Sequence, residues 1–136
     1  DGGWSTIKWL AYGANVHSSR LAKKSGYDDA LLLAQGYGVS DERPSDDPER
    51  VVLDGPNFAI AWLRDDGVFC TPSWEQLGML QSITCAITVD AAKRIKIPVD
   101  EGIHRLGDIQ SRATAAWVLS TGNDLTPVSR LGTLEL

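Results

Sequence analysis

The sequence FAIAWLRDDGVFC spans residues 58–70 and has the pattern of a β-hairpin. Apolar and aromatic residues dominate both of its arms, 58–63 and 68–70, and such residues favour strands. Asp65-Asp66-Gly67 lies between the arms, and an Asp-Gly pair is typical of a tight hairpin turn. The sequence therefore predicts two paired strands in the middle of the chain.

The part of the chain after this hairpin alternates helical and strand patterns. Ser82 or Thr84 can cap a helix in which Ile83, Ile87, Ala91 and Ile95 recur at four-residue steps. The other predictions are an irregular stretch at 71–80, an edge strand at 97–99, a short helix at 108–113, and strands at 115–119 and 125–128 joined by a turn at 120–124.

The part before the hairpin begins with a helical pattern at 12–25, which Gly26 can end. An apolar run at 30–34 predicts a buried strand. Residues 40–50 include two prolines and no apolar residue, so we expect a solvated, mobile loop. A strand at 51–53 and a turn at 54–57 follow. Short strands with interspersed helices predict a single mixed α/β domain over residues 1–136.

Composition excludes several classes of protein. The 136 residues carry a net charge of -5, and no basic stripe suggests a nucleic-acid partner. No apolar run reaches the roughly 18 residues of a membrane span. Cys70 and Cys85 form no CxxC motif, and His17 and His104 have no ligand-like neighbours, so no metal site is expected. A reducing, intracellular compartment is the default expectation.

Lys8 is the first candidate for chemistry. It lies between apolar Ile7, Trp9 and Leu10, and such neighbours disfavour the ammonium form and favour the neutral amine that forms Schiff bases. Tyr12 follows four residues later, so the two side chains share a face if the helix has begun. The alternative is that Lys8 lays its stem over an apolar surface and keeps its charge in water.

Two further stretches have the features of an anion site. Ser82-Ile83-Thr84 is at a helix start, where free N–H groups and hydroxyls favour a phosphate. Ser120-Thr121-Gly122-Asn123 follows a strand, and its small residues allow close approach of the backbone. Asp54, in the turn before the hairpin, is a candidate buried carboxylate. Each feature also has an ordinary structural explanation. The stretch 82–84 can be a helix cap, the stretch 120–123 an ordinary turn, and Asp54 an Asx-turn residue.

The order of these features resembles the class IV aminotransferase family, the fold-type IV enzymes that use pyridoxal 5'-phosphate. The closest likenesses are the lysine-helix segment with GYDDALLL at 26–33, DGPN at 54–57 and STGNDLTPV at 120–128. The likeness covers nearly the whole chain except residues 40–50. The family includes branched-chain aminotransferases, D-amino-acid transaminases and aminodeoxychorismate lyase, and the details are most similar to its plant members.

The resemblance implies the C-terminal domain of such an enzyme, with strands in a pseudobarrel and flanking helices. It also implies amino-acid and keto-acid substrates and a homodimer. We expect the smaller N-terminal domain and the C-terminal tail to lie outside these 136 residues. The compartment implied is cytoplasm or plastid. Substrate and stereochemistry stay open, as do an aminodeoxychorismate-lyase-type elimination of pyruvate and a non-catalytic relative that kept the fold.

The resemblance also implies residue roles. Lys8 matches the catalytic lysine that holds the cofactor as a Schiff base and moves a proton. Tyr12 matches a residue near the cofactor's phenolic oxygen, and Asp54 matches the partner of the pyridinium nitrogen. The positions that match phosphate-binding residues are Ser82, Ile83, Thr84, Thr121 and Gly122.

The chain departs from the family pattern at several positions. Asp54 replaces the usual glutamate, and one methylene less shortens the reach by roughly 1.5 Å. Ser82 and Cys85 replace a glycine and an arginine around the Ile-Thr motif. Ala11 stands where relatives often carry asparagine. Activity of this stretch of chain alone is therefore in question.

Overall fold

A computed structural model describes residues 13–34, 44, 46–122 and 124–136. Its central feature is a five-stranded sheet, and two short two-stranded sheets lie outside it. The elements are α1 (Gly13–Lys24), β1 (Leu33–Ala34), β2 (Val51–Val52), β3 (Ala59–Arg64), β4 (Phe69–Pro72), α2 (Trp74–Leu77), α3 (Ile83–Arg94), β5 (Val99–Gly102), α4 (Leu106–Arg112), β6 (Ala113–Ser120), β7 (Asp124–Val128), β8 (Arg130–Leu131) and β9 (Leu134–Glu135).

The central sheet has the strand order β5-β4-β3-β6-β7. The pairings of β3 with β4, β3 with β6, and β6 with β7 are antiparallel, whereas β5 joins β4 in parallel. A mostly antiparallel sheet with flanking helices confirms the predicted mixed α/β class. The outer pairs are β1 with β2 and β8 with β9, both antiparallel.

The predicted hairpin is confirmed as β3 and β4. Trp62 lies opposite Cys70, and Gly67 in the turn has a φ of 80°, in the region that favours glycine. The predicted irregular stretch at 71–80 is wrong at its start, because β4 continues through Pro72 and pairs with β5. The short helix α2 follows, with the Ser73 hydroxyl accepting the Gln76 N–H.

The edges of the sheet differ slightly from the prediction. The strand expected at 97–99 is at an edge as predicted, but it runs from Val99 to Gly102. Pro98 precedes it and contributes its carbonyl, which accepts the Phe69 N–H at 2.8 Å. The helix expected at 108–113 begins earlier, at Leu106, and the hairpin of β6 and β7 is confirmed.

Side chains of the sheet pack on both of its faces. On one face Ile60, Trp62 and Cys70 form a core with Leu106 and Ile109 of α4. The other face of the sheet packs against α3. There Val89 of the helix forms a core cluster with the buried residues Ala61, Phe69 and Leu119. Alternation of side chains along each strand produces these two layers.

Helix α3 is confirmed, but its apolar stripe does not face the sheet. Ile83, Ile87 and Ile95 are 72%, 66% and 71% exposed, whereas Val89 and Ala92 are buried. Spacing alone identified the helix but not its buried face, because Val89 and Ala92 bury a different stripe of the same helix.

The N-terminal elements are shorter than predicted. Helix α1 ends at Lys24, and Gly26 follows with a φ of 82°, as expected for a C′ stop. Of the strand expected at 30–34, only Leu33–Ala34 forms regular pairs. Residues 40–43 and 45 of the predicted loop lie outside the described residues. At its end Arg50 is only 4% exposed and donates to the Pro44 carbonyl, so the loop is not solvated throughout.

The described residues also bear on the excluded classes. None of the described helices is long and apolar enough to cross a membrane. Across the described ranges, no cluster of His, Cys, Asp and Glu side chains could hold a metal ion. Cys70 and Cys85 are both free thiols and pack in different core layers.

Candidate functional site

A cavity of about 760 Å³ opens between α3 and one end of the central sheet. This volume falls within the range of roughly 300–1,000 Å³ that is typical of small-molecule sites. Its walls come from the turn at 54–57, the end of β4, the start of α3 and the tip of the hairpin of β6 and β7. Of the predicted site residues, Asp54, Ser82, Ile83, Thr121 and Gly122 line it.

Asp54 is half-buried in the wall of the cavity. Burial raises the pKa of its carboxyl to about 6, and a backbone hydrogen bond opposes this shift only partly. No cation of the described residues forms an ion pair with it. A carboxyl in this state would be stabilised as a carboxylate by any positive group that entered the cavity.

The turn that carries Asp54 is held by backbone contacts. Leu32 N–H donates to the Asp54 carbonyl at 2.8 Å, and Gly55 N–H donates to the Phe58 carbonyl at 2.8 Å. A Cβ at Gly55 would lie 2.1 Å from the Phe58 ring, so the close packing of that ring requires glycine. The Asp54 backbone is therefore fixed by its neighbours in sequence and by the residue before β1.

In the part of the chain that the structure describes, two backbone N–H donors in the first turn of α3 have no acceptor. The Ser82 hydroxyl caps the helix by accepting the Cys85 N–H at 3.2 Å. The N–H groups of Ile83 and Thr84 have no acceptor among the described residues. Free N–H groups at the positive end of a helix form a ready site for an anion.

Thr84 differs from the other predicted phosphate-binding residues. Its carbonyl accepts the Thr88 hydroxyl at 2.8 Å, and its side chain is not part of the cavity wall. Its free N–H is the atom that an anion at the helix start would contact. A phosphate-binding role for Thr84 stays a prediction.

The tip of the hairpin of β6 and β7 supplies the opposite part of the wall. Ser120 pairs with Asp124, so the tip consists of residues 121–123. Thr121 and Gly122 are exposed, and a Cβ at Gly122 would meet no described atom within 4 Å. Packing within the described protein thus does not require glycine at this position. Asn123 lies outside the described residues.

The two predicted residues nearest the start of the chain are not in the described part. Lys8 and Tyr12 precede Gly13, where the description of α1 begins. The roles expected for them stay predictions.

Two residues of the wall were not singled out for chemistry in the sequence. Thr71 is 2% exposed, and its hydroxyl donates to the Ile60 carbonyl at 2.8 Å while lying 3.4 Å from the Cys85 sulfur. Burial raises the pKa of the Cys85 thiol, which the contact with Thr71 partly offsets, so the thiol stays protonated near neutral pH. The cysteine that replaces an arginine is thus packed inward.

Comparisons with known proteins point to one family. The family model described as "Amino-transferase class IV" matches residues 2–131. A fold IV-transaminase from Curtobacterium pusillum is 25% identical, with a TM-score of 0.77 over 96% of this chain and 40% of its own. A branched-chain amino acid aminotransferase from Thermobaculum terrenum, in its PLP form, is 27% identical, with a TM-score of 0.77 over 96% of this chain and 38% of its own.

A third structure shares the fold at lower identity. A Legionella pneumophila protein that carries the name of a 4-amino-4-deoxychorismate lyase is 20% identical, with a TM-score of 0.81 over 97% of this chain and 43% of its own. The chain thus spans about two fifths of the length of these structures. No curated protein sequence matches it significantly.

Proposed function

The chain belongs to the class IV aminotransferase family, and from this premise we propose that its cavity binds pyridoxal 5'-phosphate for the transamination of amino acids with keto acids. One observation carries the proposal. A single cavity contains a half-buried carboxyl with a raised pKa and a helix start where the N–H groups of Ile83 and Thr84 have no acceptor among the described residues. The cofactor has a complementary pair of groups, a protonatable ring nitrogen and a phosphate.

The residues of the cavity fit these two groups. Asp54 has no cationic partner among the described residues, and a ring N–H⁺ would supply one. Ile83 and Thr84 offer two N–H donors that have no acceptor among the described residues, and the hydroxyl-bearing Ser82 and Thr121 line the same cavity. Exposed Gly122 lets the backbone approach a ligand closely.

Each group of the chain then has a defined task. When bound, pyridoxal phosphate supplies a protonated ring that accepts electrons from the substrate's α-carbon. Asp54 keeps the proton on the ring nitrogen, and the start of α3 with the tip at 121–122 holds the phosphate. By the family resemblance, Lys8 would hold the cofactor covalently and would move a proton to and from the substrate, and Tyr12 would lie near the phenolic oxygen.

The substrate pocket and the assembly belong to the same proposal. Because the chain spans about two fifths of its structural relatives, residues outside it would complete the pocket. We propose branched-chain or D-amino acids as substrates, and a homodimer of the full-length protein. The similarity to plant members of the family and a location in cytoplasm or plastid stay predictions.

Borohydride reduction tests the proposal directly. Full-length protein saturated with pyridoxal phosphate is reduced, digested and mapped by mass spectrometry. We expect a pyridoxyl group on Lys8, none there in Lys8→Arg, and an unchanged result in Lys23→Arg, a control in the last turn of α1. An unmodified Lys8 in the saturated protein would contradict the proposal and favour a non-catalytic relative.

A second measurement separates the two reactions. A transaminase transfers the amino group to a keto acid, so product forms only when an acceptor is present. A lyase of the aminodeoxychorismate type releases pyruvate without an acceptor. Pyruvate formed in the absence of a keto acid would therefore contradict transamination and support the lyase activity.

A further inference from the structure

We infer that Asn15 is a positioning residue that ties the helix following Lys8 to the turn carrying Asp54. The Asn15 side-chain Nδ2 donates to the Pro56 carbonyl at 2.7 Å, in a partly buried hydrogen bond between residues 41 positions apart. Pro56 lies two residues after Asp54, and Asn15 lies seven residues after Lys8. The bond therefore links the helix that follows Lys8 to the turn that carries Asp54. The proposed function assigns covalent attachment of the cofactor to Lys8 and its ring nitrogen to Asp54.

A second polar contact fastens the same face of α1. The Ser19 hydroxyl donates to Asp29 Oδ1 at 2.6 Å, and that oxygen also accepts the Ala30 N–H at 2.9 Å. Asn15 and Ser19 are four residues apart, so their side chains point from one face of the helix. The Asn15 contact runs from α1 to the turn at 54–57, and the Ser19 contact runs to the segment just before Leu32.

These contacts close a ring of interactions around the turn. From Asp29 the chain continues to Leu32, whose N–H donates to the Asp54 carbonyl at 2.8 Å. The path then runs through the turn to Pro56 and back to Asn15. A change at Asn15 opens this ring at Pro56, two residues after Asp54.

Apolar packing gives α1 little independent support. Among its twelve residues, all of them described, none is buried. A helix without a buried face is not held in one place by the hydrophobic effect, because that term grows with the apolar area removed from water. Its side-chain hydrogen bonds therefore matter more for its position, and among the described contacts the bond from Asn15 reaches the Asp54 turn.

The consequence concerns the cofactor that the proposed function assigns, and the inference rests on that function. Under that function Lys8 and Asp54 would hold one cofactor together, and a shift of α1 would change the spacing of the two segments that carry them. Small errors in such placement weaken both binding and catalysis. Asn15 acts through these two residues and touches neither the cofactor nor the substrate in this assignment.

The test compares Asn15→Leu, which keeps the size and removes the donor, with Ser18→Ala as a matched control. Among the described residues, the Ser18 hydroxyl donates only to the Ala14 carbonyl within α1. In the full-length protein, Asn15→Leu should bind pyridoxal phosphate roughly tenfold more weakly. It should also lower the pH at which the absorption of the bound ring changes, since the carboxylate holds the ring proton less firmly. Ser18→Ala should change neither, and Asn15→Gln should restore part of the affinity.

Each outcome decides the matter. Unchanged affinity and absorption in Asn15→Leu, beside a wild type that borohydride traps at Lys8, overturn the inference and leave the proposed function intact. A wild type without trapped cofactor overturns both. Equal effects from Ser18→Ala would show that Asn15 contributes only to the general stability of α1, and this would overturn the inference. Should Asn15→Leu fail to fold, Ser19→Ala opens the same ring at its other end, and an unchanged absorption pH there counts against the inference.

Discussion

At the scale of single residues, Asp54 shows how one side chain combines a structural cost with a proposed function. Its carboxyl lies half-buried without a cation among the described residues, and burial raises its pKa to about 6. Folding places the group where its charged form is poorly solvated. The same environment makes the site receptive to a positively charged ring.

The raised pKa of Asp54 predicts a pH dependence of stability in the cofactor-free protein. Between the ordinary aspartate pKa of 3.8 and the raised pKa of about 6, the folded state holds this proton more often than the unfolded state. The free energy of unfolding should therefore fall as the pH rises through that window and level off above it. Asp54→Asn should flatten this decline, as measured by urea unfolding at a series of pH values.

Asp28→Asn serves as the control, because the Asp28 side chain is exposed. It should keep the slope of the wild type. A slope in Asp54→Asn equal to that of the wild type would show that another group dominates the titration. Adding pyridoxal phosphate should reduce the decline in the wild type, since a ring cation would stabilise the carboxylate.

Residue-level chemistry was only partly predictable from the sequence. The acid, hydroxyl and glycine positions of the cavity could be chosen by their order along the chain. Contacts between distant segments could not, and the bond from Asn15 to Pro56 is an example. The inward packing of Cys85 against Thr71 is another, because it depends on how α3 lies on the sheet.

At the scale of elements, the start of α3 contains both a helix cap, Ser82, and a proposed phosphate-binding site. Ser82→Ala removes the acceptor of the Cys85 N–H and should destabilise the protein by about 1 kcal/mol, as measured by urea unfolding. Ser82→Gly should cost only a few tenths of a kcal/mol, because glycine is also tolerated at this position of a helix. Equal stability of Ser82→Ala and the wild type would contradict the assigned cap.

A matched change at α2 provides the control. The Ser73 hydroxyl accepts the Gln76 N–H at 3.3 Å at the start of a four-residue helix. Ser73→Ala removes a cap of the same kind away from the free N–H groups of α3. Cofactor affinity should therefore stay unchanged in Ser73→Ala and fall in Ser82→Ala.

Element prediction succeeded where local patterns were strong. The hairpin of β3 and β4 and the helices α1 and α3 follow from alternation, spacing and turn residues. Short α2 was missed because a Thr-Pro pair precedes it and only its Ser73 cap marks its start. The exposed isoleucines of α3 show a further limit: spacing does not say which stripe of a helix meets the sheet.

At the scale of the whole molecule, the sheet separates a structural face from the face that borders the cavity. Ile109 of α4 is fully buried in the core cluster with Trp62, on the face away from α3. Ile109→Ala should lower the free energy of unfolding by about 2–5 kcal/mol, measured by urea denaturation. Its affinity for pyridoxal phosphate, measured where the variant is folded, should equal that of the wild type.

Ile95→Ala is the control for this change, because Ile95, which directly follows α3, is 71% exposed. Its effect on stability should stay within about 0.5 kcal/mol. If Ile109→Ala weakened cofactor binding in the folded protein, the two faces would not be separate in function.

The parallel pairing of β5 with β4 makes α3 the crossover of the sheet. Parallel neighbours cannot be joined by a tight turn, so the chain must travel through α2 and α3 before β5 can take its place. The same segment therefore borders the cavity and closes an edge. A ligand bound at the start of α3 would also slow hydrogen exchange of the backbone amides where β5 pairs with β4. Ligand binding would therefore stabilise this edge of the sheet.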